Sequence, residues 1–246
     1  MKKTGIIIQA RKGSTRLPNK MVIPFYQGMG VLQIILEKVK RYYPNELIVL
    51  ATTNNSRDDE LEDIANTLNI KSYRGDETNV LSRFIEIGDK YNLINLVRIC
   101  GDNPFLDVKH ISELINEIDN GKYDYVSYKT HDGLPVIKSH LGLFTEVVSL
   151  HSLKKIPLLT NEKKYFEHVT NYIYENNSNI KLLNLPKYFE QTDNIRLTLD
   201  TLEDFLLYKE IFEQYKDKSL KRLIESINLR KDILDKMKSQ IKQNLK

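Results

Sequence analysis

Residues 4–20, TGIIIQARKGSTRLPNK, decide how the rest of this chain is read. Thr4–Gln9 is a short apolar run rich in isoleucine, and such a run ahead of turn residues marks a buried strand. It feeds into a segment carrying Arg11, Lys12, Arg16 and Lys20, with Gly13, Ser14 and Pro18 between them. A buried strand ending in a basic, glycine-bearing loop brings cations and free backbone N–H groups to the carboxyl edge of a sheet, where open α/β folds hold ligands. Arginine grips phosphate through a planar fork and lysine as a point charge. Any one of these cations alone reads as solvated surface. Four of them around one turn point to a polyanion, with a nucleoside triphosphate as first candidate.

Outward from this stretch, helical and strand patterns alternate. Apolar residues at helical spacing cover 31–41, and 46–52 (ELIVLAT) reads as a strand buried on both faces. Ser56 with Asp59 has the pattern of a capping box ahead of a helix through Leu61, Ile64, Ala65 and Leu68. A short strand over 71–73 ends at Gly75, Thr78 is the expected N-cap of a helix over 80–91, and 95–99 (NLVRI) is the next strand. A helix over 108–119 and a strand over 123–127 follow. This alternation predicts an α/β fold, with a mostly parallel central sheet and helices on both faces.

Beyond Asp132 the rhythm weakens, with strands expected over 143–148, 182–185 and 196–199 and helices over 149–156, 162–176 and 202–215. The expected division is one domain, 1–215, made of halves 1–130 and 131–215, followed by an amphipathic helical tail, 216–246. In the tail, Leu220, Leu223, Ile224, Ile227, Leu234, Met237, Ile241 and Leu245 recur at near-helical spacing among lysines. Such a stripe packs on the body or on a second subunit, or offers a basic face to lipid.

Composition narrows the class. With 41% hydrophobic and 28% charged residues the chain has an ordinary globular make-up. A net charge of +4, with no aromatics interleaved among the basic residues, gives no footprint for nucleic acid. No apolar stretch approaches the length of a membrane span, and Met1-Lys2-Lys3 leads into a strand rather than a signal peptide. The single cysteine, Cys100, rules out an internal disulfide and suits a reducing, cytoplasmic setting. Beside Asp102, it reads as packing rather than as a nucleophile.

Three acidic or titratable constellations carry candidate chemistry. Gly101-Asp102-Asn103-Pro104 directly follows the strand NLVRI. Asp102 is either a turn residue or a carboxylate on the ligand edge, where Mg²⁺ bound to a triphosphate would be its partner. Arg98, within that strand, points either into the cleft or to the sheet margin. Asp200 ends the apolar run RLTL, and Thr201 with Asp204 can cap the next helix. Asp200 is thus part of a cap or a second hard oxygen ligand for Mg²⁺. His168, alone on an expected helix, is structural or near a ligand.

The run Gln9-Ala10-Arg11-Lys12-Gly13-Ser14-Thr15-Arg16-Leu17-Pro18, with Lys20, resembles the nucleotide-binding loop of the CMP-sugar synthetase superfamily. That superfamily includes the cytidylyltransferases for 3-deoxy-octulosonate and for sialic-type acids, and the nearest branch is typified by the spore-coat polysaccharide protein SpsF. Gly-Asp-x-Pro at Asp102, strand-Asp-Thr-x-Glu-Asp at Asp200, Val80-Leu81-Ser82-Arg83 and Glu167-His168-Val169-Thr170 resemble further segments of that branch. The resemblance spans about residues 3–215.

It implies a Rossmann-like nucleotidyltransferase fold, with a nucleotide half (1–130) and a smaller α+β region for the acceptor and a homodimer contact (131–215). It implies transfer of CMP from CTP to an acidic sugar or phosphomonoester, with release of pyrophosphate, for surface polysaccharide or glycoconjugate synthesis. Arg11, Arg16, Lys20 and Asp102 would be catalytic, and Asp102 and Asp200 would hold Mg²⁺. Gln9, Ala10, Arg11, Gly13, Ser14, Thr15, Lys20, Thr52 and Arg83 would bind the nucleotide. Glu146, His168, Thr170 and Arg196 would face the acceptor. Phe144 and Phe166 replace an aspartate and an arginine of the branch, removing charge from the expected acceptor side and leaving the acceptor open. The rival readings are a glycosyltransferase consuming a nucleotide sugar and a non-catalytic nucleotide-binding relative.

Overall fold

The structure, a computed structural model, describes residues 3–176, 179–189 and 192–243; Met1, Lys2 and the tail residue Leu245 lie outside them. In chain order the first half runs β1 (Thr4–Gln9), α1 (Val31–Tyr42), β2 (Leu47–Thr53), α2 (Asp59–Thr67), β3 (Lys71–Gly75), α3 (Val80–Lys90), β4 (Asn95–Cys100), α4 (Ile111–Asn120) and β5 (Tyr125–Lys129). The second half adds β6 (Glu146–Ser149), α5 (Leu150–Leu159), α6 (Lys163–Glu167), α7 (Asn171–Asn176), β7 (Ile180–Asn184), α8 (Leu202–Tyr215), α9 (Leu220–Leu229) and α10 (Lys231–Gln243).

The strands form one seven-stranded sheet in the order β3-β2-β1-β4-β6-β5-β7. All neighbours pair in parallel except β6, which runs antiparallel to both β4 and β5. From β1 the chain steps to β2 on one side and later to β4 on the other. That reversal opens a crevice at the carboxyl ends of β1 and β4, where Gln9 lies beside Cys100 in register.

Side-chain alternation along the strands divides the core. Ile6 and Ile8 of β1 join one buried cluster with α1, α2, α4 and the C-terminal helices, while Ile7 joins the other with α3, α5, α6 and α7. The result is three layers. The tail helices belong to the first cluster, which buries Leu223, Ile224, Ile227, Ile233 and Met237. Phe25, just beyond the basic loop, is wholly buried and meets Phe205 and Phe212 of α8 edge-on, with centroids 5.4 and 5.3 Å away. Such ring pairs add about 1 kcal/mol beyond the area they bury, so α8 is the anchor beneath the loop.

Several local expectations are corrected. Asn55, not a Ser56–Asp59 box, caps the turn before α2 by accepting from Arg57 N at 3.1 Å. Asn79, not Thr78, caps α3 by accepting from Ser82 N at 2.9 Å; Thr78 is held instead in a turn around the Asp76 carboxylate. The helix expected over 162–176 is broken between α6 and α7, where Thr170 turns inward to donate to Glu146 at 2.8 Å. Residues 196–199 are no sheet strand: Leu197 N bonds to His140 O and Leu199 N to Asp102 O, both at 3.0 Å. Two separated partners hold that run extended without a ladder. Gly142 allows the crossing, because its φ is +62° and a Cβ there would lie 2.8 Å from the Leu197 backbone.

Candidate active site

The basic loop is braced from behind by a residue that sequence reading passed over. Asp58 has no exposed surface; its carboxylate accepts the backbone N–H of Lys12 at 2.8 Å and the hydroxyl of Thr53. The loop bonds itself as well, Ser14 N to Lys12 O at 2.8 Å and Leu17 N to Ser14 Oγ at 3.3 Å. On the other wall of the crevice, Gly101 brings the Asp102 turn against β1, since its N–H bonds to Gln9 O at 2.9 Å and a Cβ would meet that same oxygen. The loop and the Asp102 turn therefore face one another.

Between them lies a pocket of about 300 Å³. Gln9, Ala10, Arg11, Gly13, Ser14, Thr15, Arg16 and Lys20 line it from the loop, and Arg83, Asp102, His168 and Asp200 from the other elements. Its lining carries five arginine or lysine residues (Arg11, Arg16, Lys20, Arg83, Arg98) against three carboxylates (Asp102, Glu167, Asp200). Such an excess favours a polyanion. Arg83 is almost wholly buried, and its Nε has no hydrogen-bond partner among the described residues. Burial and the nearby Arg11 hold its pKa below the ordinary value. A buried guanidinium with an unused donor at a pocket wall is ready for a ligand atom.

Lys20 is the centre of the charge arrangement. Its ammonium, 6% exposed, donates to Leu199 O at 2.6 Å, to Asp102 Oδ2 at 3.1 Å and to Asp200 Oδ1 at 3.4 Å. Burial alone would lower its pKa, but Asp102 and Asp200 reverse this and hold the lysine above its ordinary value. Asp200 also receives Arg16 at 3.0 Å and Arg196 at 2.7 Å. Burial disfavours its ionised form, yet Lys20, Arg196 and Arg16 keep its carboxyl below the usual range.

A second and larger cleft, about 720 Å³, adjoins the pocket and is lined by Lys138, Ser139, Asn171 and Tyr174 together with Arg98 and His168. Phe144 borders it but sits in an aromatic cluster with Tyr128, His110 and Phe189, at centroid distances of 5.0, 5.3 and 5.1 Å. Phe166 packs on the second core cluster. The charge missing at Phe166 is thus missing from a helix packed on the core rather than from this cleft.

Four expected site residues stand apart from these walls. Thr52 and Thr170 are fully buried. Glu146 is fully buried beneath the floor, bonded to Arg98, Tyr125 and Thr170. Arg196, expected to face the acceptor, has no exposed surface and spends its donors on Asp200, Asp204 and His140. It is corrected to a buried counter-ion, because each of its three guanidinium nitrogens is bonded within the protein and none of its surface reaches either cleft. Asp204 is confirmed as a helix cap: it accepts from Thr201 N at 3.0 Å and completes the capping box of α8.

Whether the residues present suit Mg²⁺ follows from the donors. Among the described residues no group of three or more His, Cys, Asp or Glu is arranged to hold a metal alone. Asp102 and Asp200, however, are hard carboxylates that already share one cation, Lys20 Nζ. Mg²⁺ is usually held by one or two carboxylates with phosphate oxygens and water. The pair fits such a site and would not form an all-protein cage.

A family model described as cytidylyltransferase matches residues 5–233. This chain belongs to the cytidylyltransferase family. The enzyme is 37% identical over 211 residues to an uncharacterized protein of Methanocaldococcus jannaschii, covering 85% of this chain and 83% of the relative. It is 32% identical over 236 residues to the spore coat polysaccharide biosynthesis protein SpsF of Bacillus subtilis, covering 92% and 94%. Among solved structures it is similar to a cytidylyltransferase from Leptospira borgpetersenii, with a TM-score of 0.83 and 29% identity over 95% of this chain and 97% of that one. It is therefore a CTP-dependent nucleotidyltransferase on a Rossmann-like fold. The family match runs through α9, so at least that part of the tail lies within the family's own extent. No helix among the described residues is long and apolar enough to cross a membrane.

Proposed function

We infer that the enzyme transfers CMP from CTP to an acidic sugar or a phosphorylated small molecule, releasing pyrophosphate, in the synthesis of a surface polysaccharide or glycoconjugate. The observation that carries this reading is the pair of adjoining compartments, one cation-rich and one larger, that meet at Asp102 and Asp200. The triphosphate lies against Arg11, Arg16 and Lys20, whose charges offset its own. The orphaned Nε of Arg83 faces the nucleotide. The acceptor occupies the larger cleft, with His168 on the shared wall.

In the reaction the acceptor oxygen attacks the α-phosphorus in line. The bond from α-phosphorus to the bridging oxygen breaks, and pyrophosphate leaves with that electron pair. Protein groups contribute positioning and charge stabilisation rather than a covalent intermediate. A hydroxyl acceptor passes its proton to solvent water in the step, whereas a phosphate or phosphonate acceptor needs no base. Asp102 and Asp200 would hold Mg²⁺, which supplies charge neutralisation at the phosphates and lowers the pKa of a bound hydroxyl. With the carboxylates so occupied, Lys20, which bridges them at 3.1 and 3.4 Å, would turn to phosphate oxygens.

The test is pyrophosphate release from each of the four common nucleoside triphosphates, against acidic sugars and small phosphomonoesters. CTP-dependent release with one acceptor is expected, lost on chelation, restored by Mg²⁺ and abolished by Asp102→Ala. Transfer from a nucleotide sugar, with no release from any triphosphate, would sink the reading.

A further inference from the structure

Arg98 stands where the two compartments meet, and it is held unlike the other cation there. Six residues line both spaces: Arg16, Arg98, Cys100, Asp102, His168 and Asp200. The side chain of Arg16 is 51% exposed, whereas Arg98 is 7% exposed. Its guanidinium is fixed on two sides, Nε donating to Gln9 Oε1 at 3.0 Å and Nη1 to Glu146 Oε1 at 2.6 Å. Glu146 is fixed in turn by the hydroxyls of Tyr125 at 2.5 Å and Thr170 at 2.8 Å. Strands β1, β4, β5 and β6 and the turn before α7 are thereby tied to one guanidinium at the cleft floor.

On the cytidylyl-transfer reading, both ligands would touch that floor and the new bond would form where they meet. The α-phosphorus must then lie at the border, within the circle of the six shared residues. We propose that Arg98 is the fixed hydrogen-bond donor to the non-bridging oxygens of the α-phosphate, and that Glu146 is its positioning residue. The assignment rests on the cytidylyl-transfer reading above. A guanidinium held before the ligand arrives needs no reorganisation when charge shifts onto those oxygens, and that is the condition for transition-state stabilisation. Arg16, exposed and long, meets that condition less well and is suited to capture. The arrangement also gives a purpose to a carboxylate buried beneath the acceptor cleft without contact with any ligand: it balances and aims a cation.

Removing Arg98 alone would strand Glu146 as an unpaired buried charge, so the first variant is the neutral pair Arg98→Met with Glu146→Gln. Its fold is checked by circular dichroism and thermal melting. With saturating substrates its kcat should fall by about 100-fold or more, while CTP affinity by equilibrium dialysis stays within about threefold, roughly 0.7 kcal/mol. The wild type should also discriminate between the two diastereomers of CTP carrying sulfur on the α-phosphorus, and the variant should lose that discrimination. A purely structural role would not move this last readout.

Should the pair fail to fold, Arg98→Lys decides, because it keeps a cation opposite Glu146. It loses the planar fork that fixes the donor, so kcat should fall about tenfold, worth roughly 1.4 kcal/mol, with CTP affinity unchanged. Wild-type turnover with undiminished kcat in a folded variant, or activity lost only in step with CTP affinity, would overturn the assignment alone. A wild type that releases no pyrophosphate from CTP would overturn the underlying reading and the assignment together.

Discussion

Arg196→Met separates a buried counter-ion from an acceptor-binding residue. The arginine has no exposed surface and reaches Asp200 at 2.7 Å, Asp204 at 3.1 Å and His140 Nδ1 at 2.6 Å. Methionine is unbranched and apolar, so what it mainly removes is the charge between two carboxylates. Breaking a buried pair from one side costs about 3–5 kcal/mol, because the remaining charge is uncompensated. Two features place this case at the lower end. Asp204 keeps the N–H groups of Asp200 and Thr201 at 2.9 and 3.0 Å, and Asp200 keeps Lys20 and Arg16. A loss of about 3 kcal/mol is expected, a fall in Tm of roughly 6–12 °C for a chain of this size. The assay is urea unfolding followed by far-ultraviolet circular dichroism, since the chain has no tryptophan to report by fluorescence. A loss under about 1 kcal/mol, joined to a raised acceptor KM, would refute the counter-ion reading and return Arg196 to the acceptor.

Lys20→Met should lower kcat/KM for CTP by about 10²–10³-fold, as expected for one lost donor at the reacting phosphates; pyrophosphate release measures it, and an effect within a few-fold would move Lys20 out of the site. The folded pKa of Asp200 lies below its unfolded value, because Lys20, Arg196 and Arg16 outweigh the burial that opposes ionisation. Its contribution is therefore full above the ordinary carboxylate pKa and is lost as pH falls through the folded value. Asp200→Asn should flatten stability against pH below about pH 4, and an unchanged acid limb in a pH series of melts would contradict it. Ile227 is 1% exposed in the main core, so Ile227→Ala should cost about 2–5 kcal/mol; a chain ended after Tyr215 should aggregate on size exclusion. A stable, monodisperse 1–215 fragment would show the tail to be an accessory.

The parts of the molecule legible in sequence are those whose cause is local. Thr4–Gln9 reads as a buried strand because apolar residues crowd together, and the loop after it because cations and a glycine share one turn. The Thr201–Asp204 box is legible because both partners lie within four residues. Pairings made across the chain are not. The run 196–199 has the composition of a strand, but its N–H groups go to His140 and Asp102, residues far away in sequence. Asp58 looks like one more acid in a charged segment, and only the fold puts it behind Lys12. Likewise a charged type at Glu146 or Arg196 suggests a ligand contact, since burial with a partner from another element cannot be read from type and spacing.

Phe25 lies just beyond the basic loop near the start of the chain, while its ring partners Phe205 and Phe212 come near the other end. Synthesis therefore completes the loop long before its support exists. While α8 is still within the ribosome, the aromatic face under the loop is uncovered and Lys20 lacks its partners at Leu199 and Asp200. The core that receives α8 is then closed further by α9 and α10. Contacts this distant in sequence slow folding and leave apolar surface open to other chains meanwhile. Nascent chains paused before α8 should thus bind a hydrophobic-surface chaperone and fail to retain CTP, and both properties should reverse as α8 to α10 emerge.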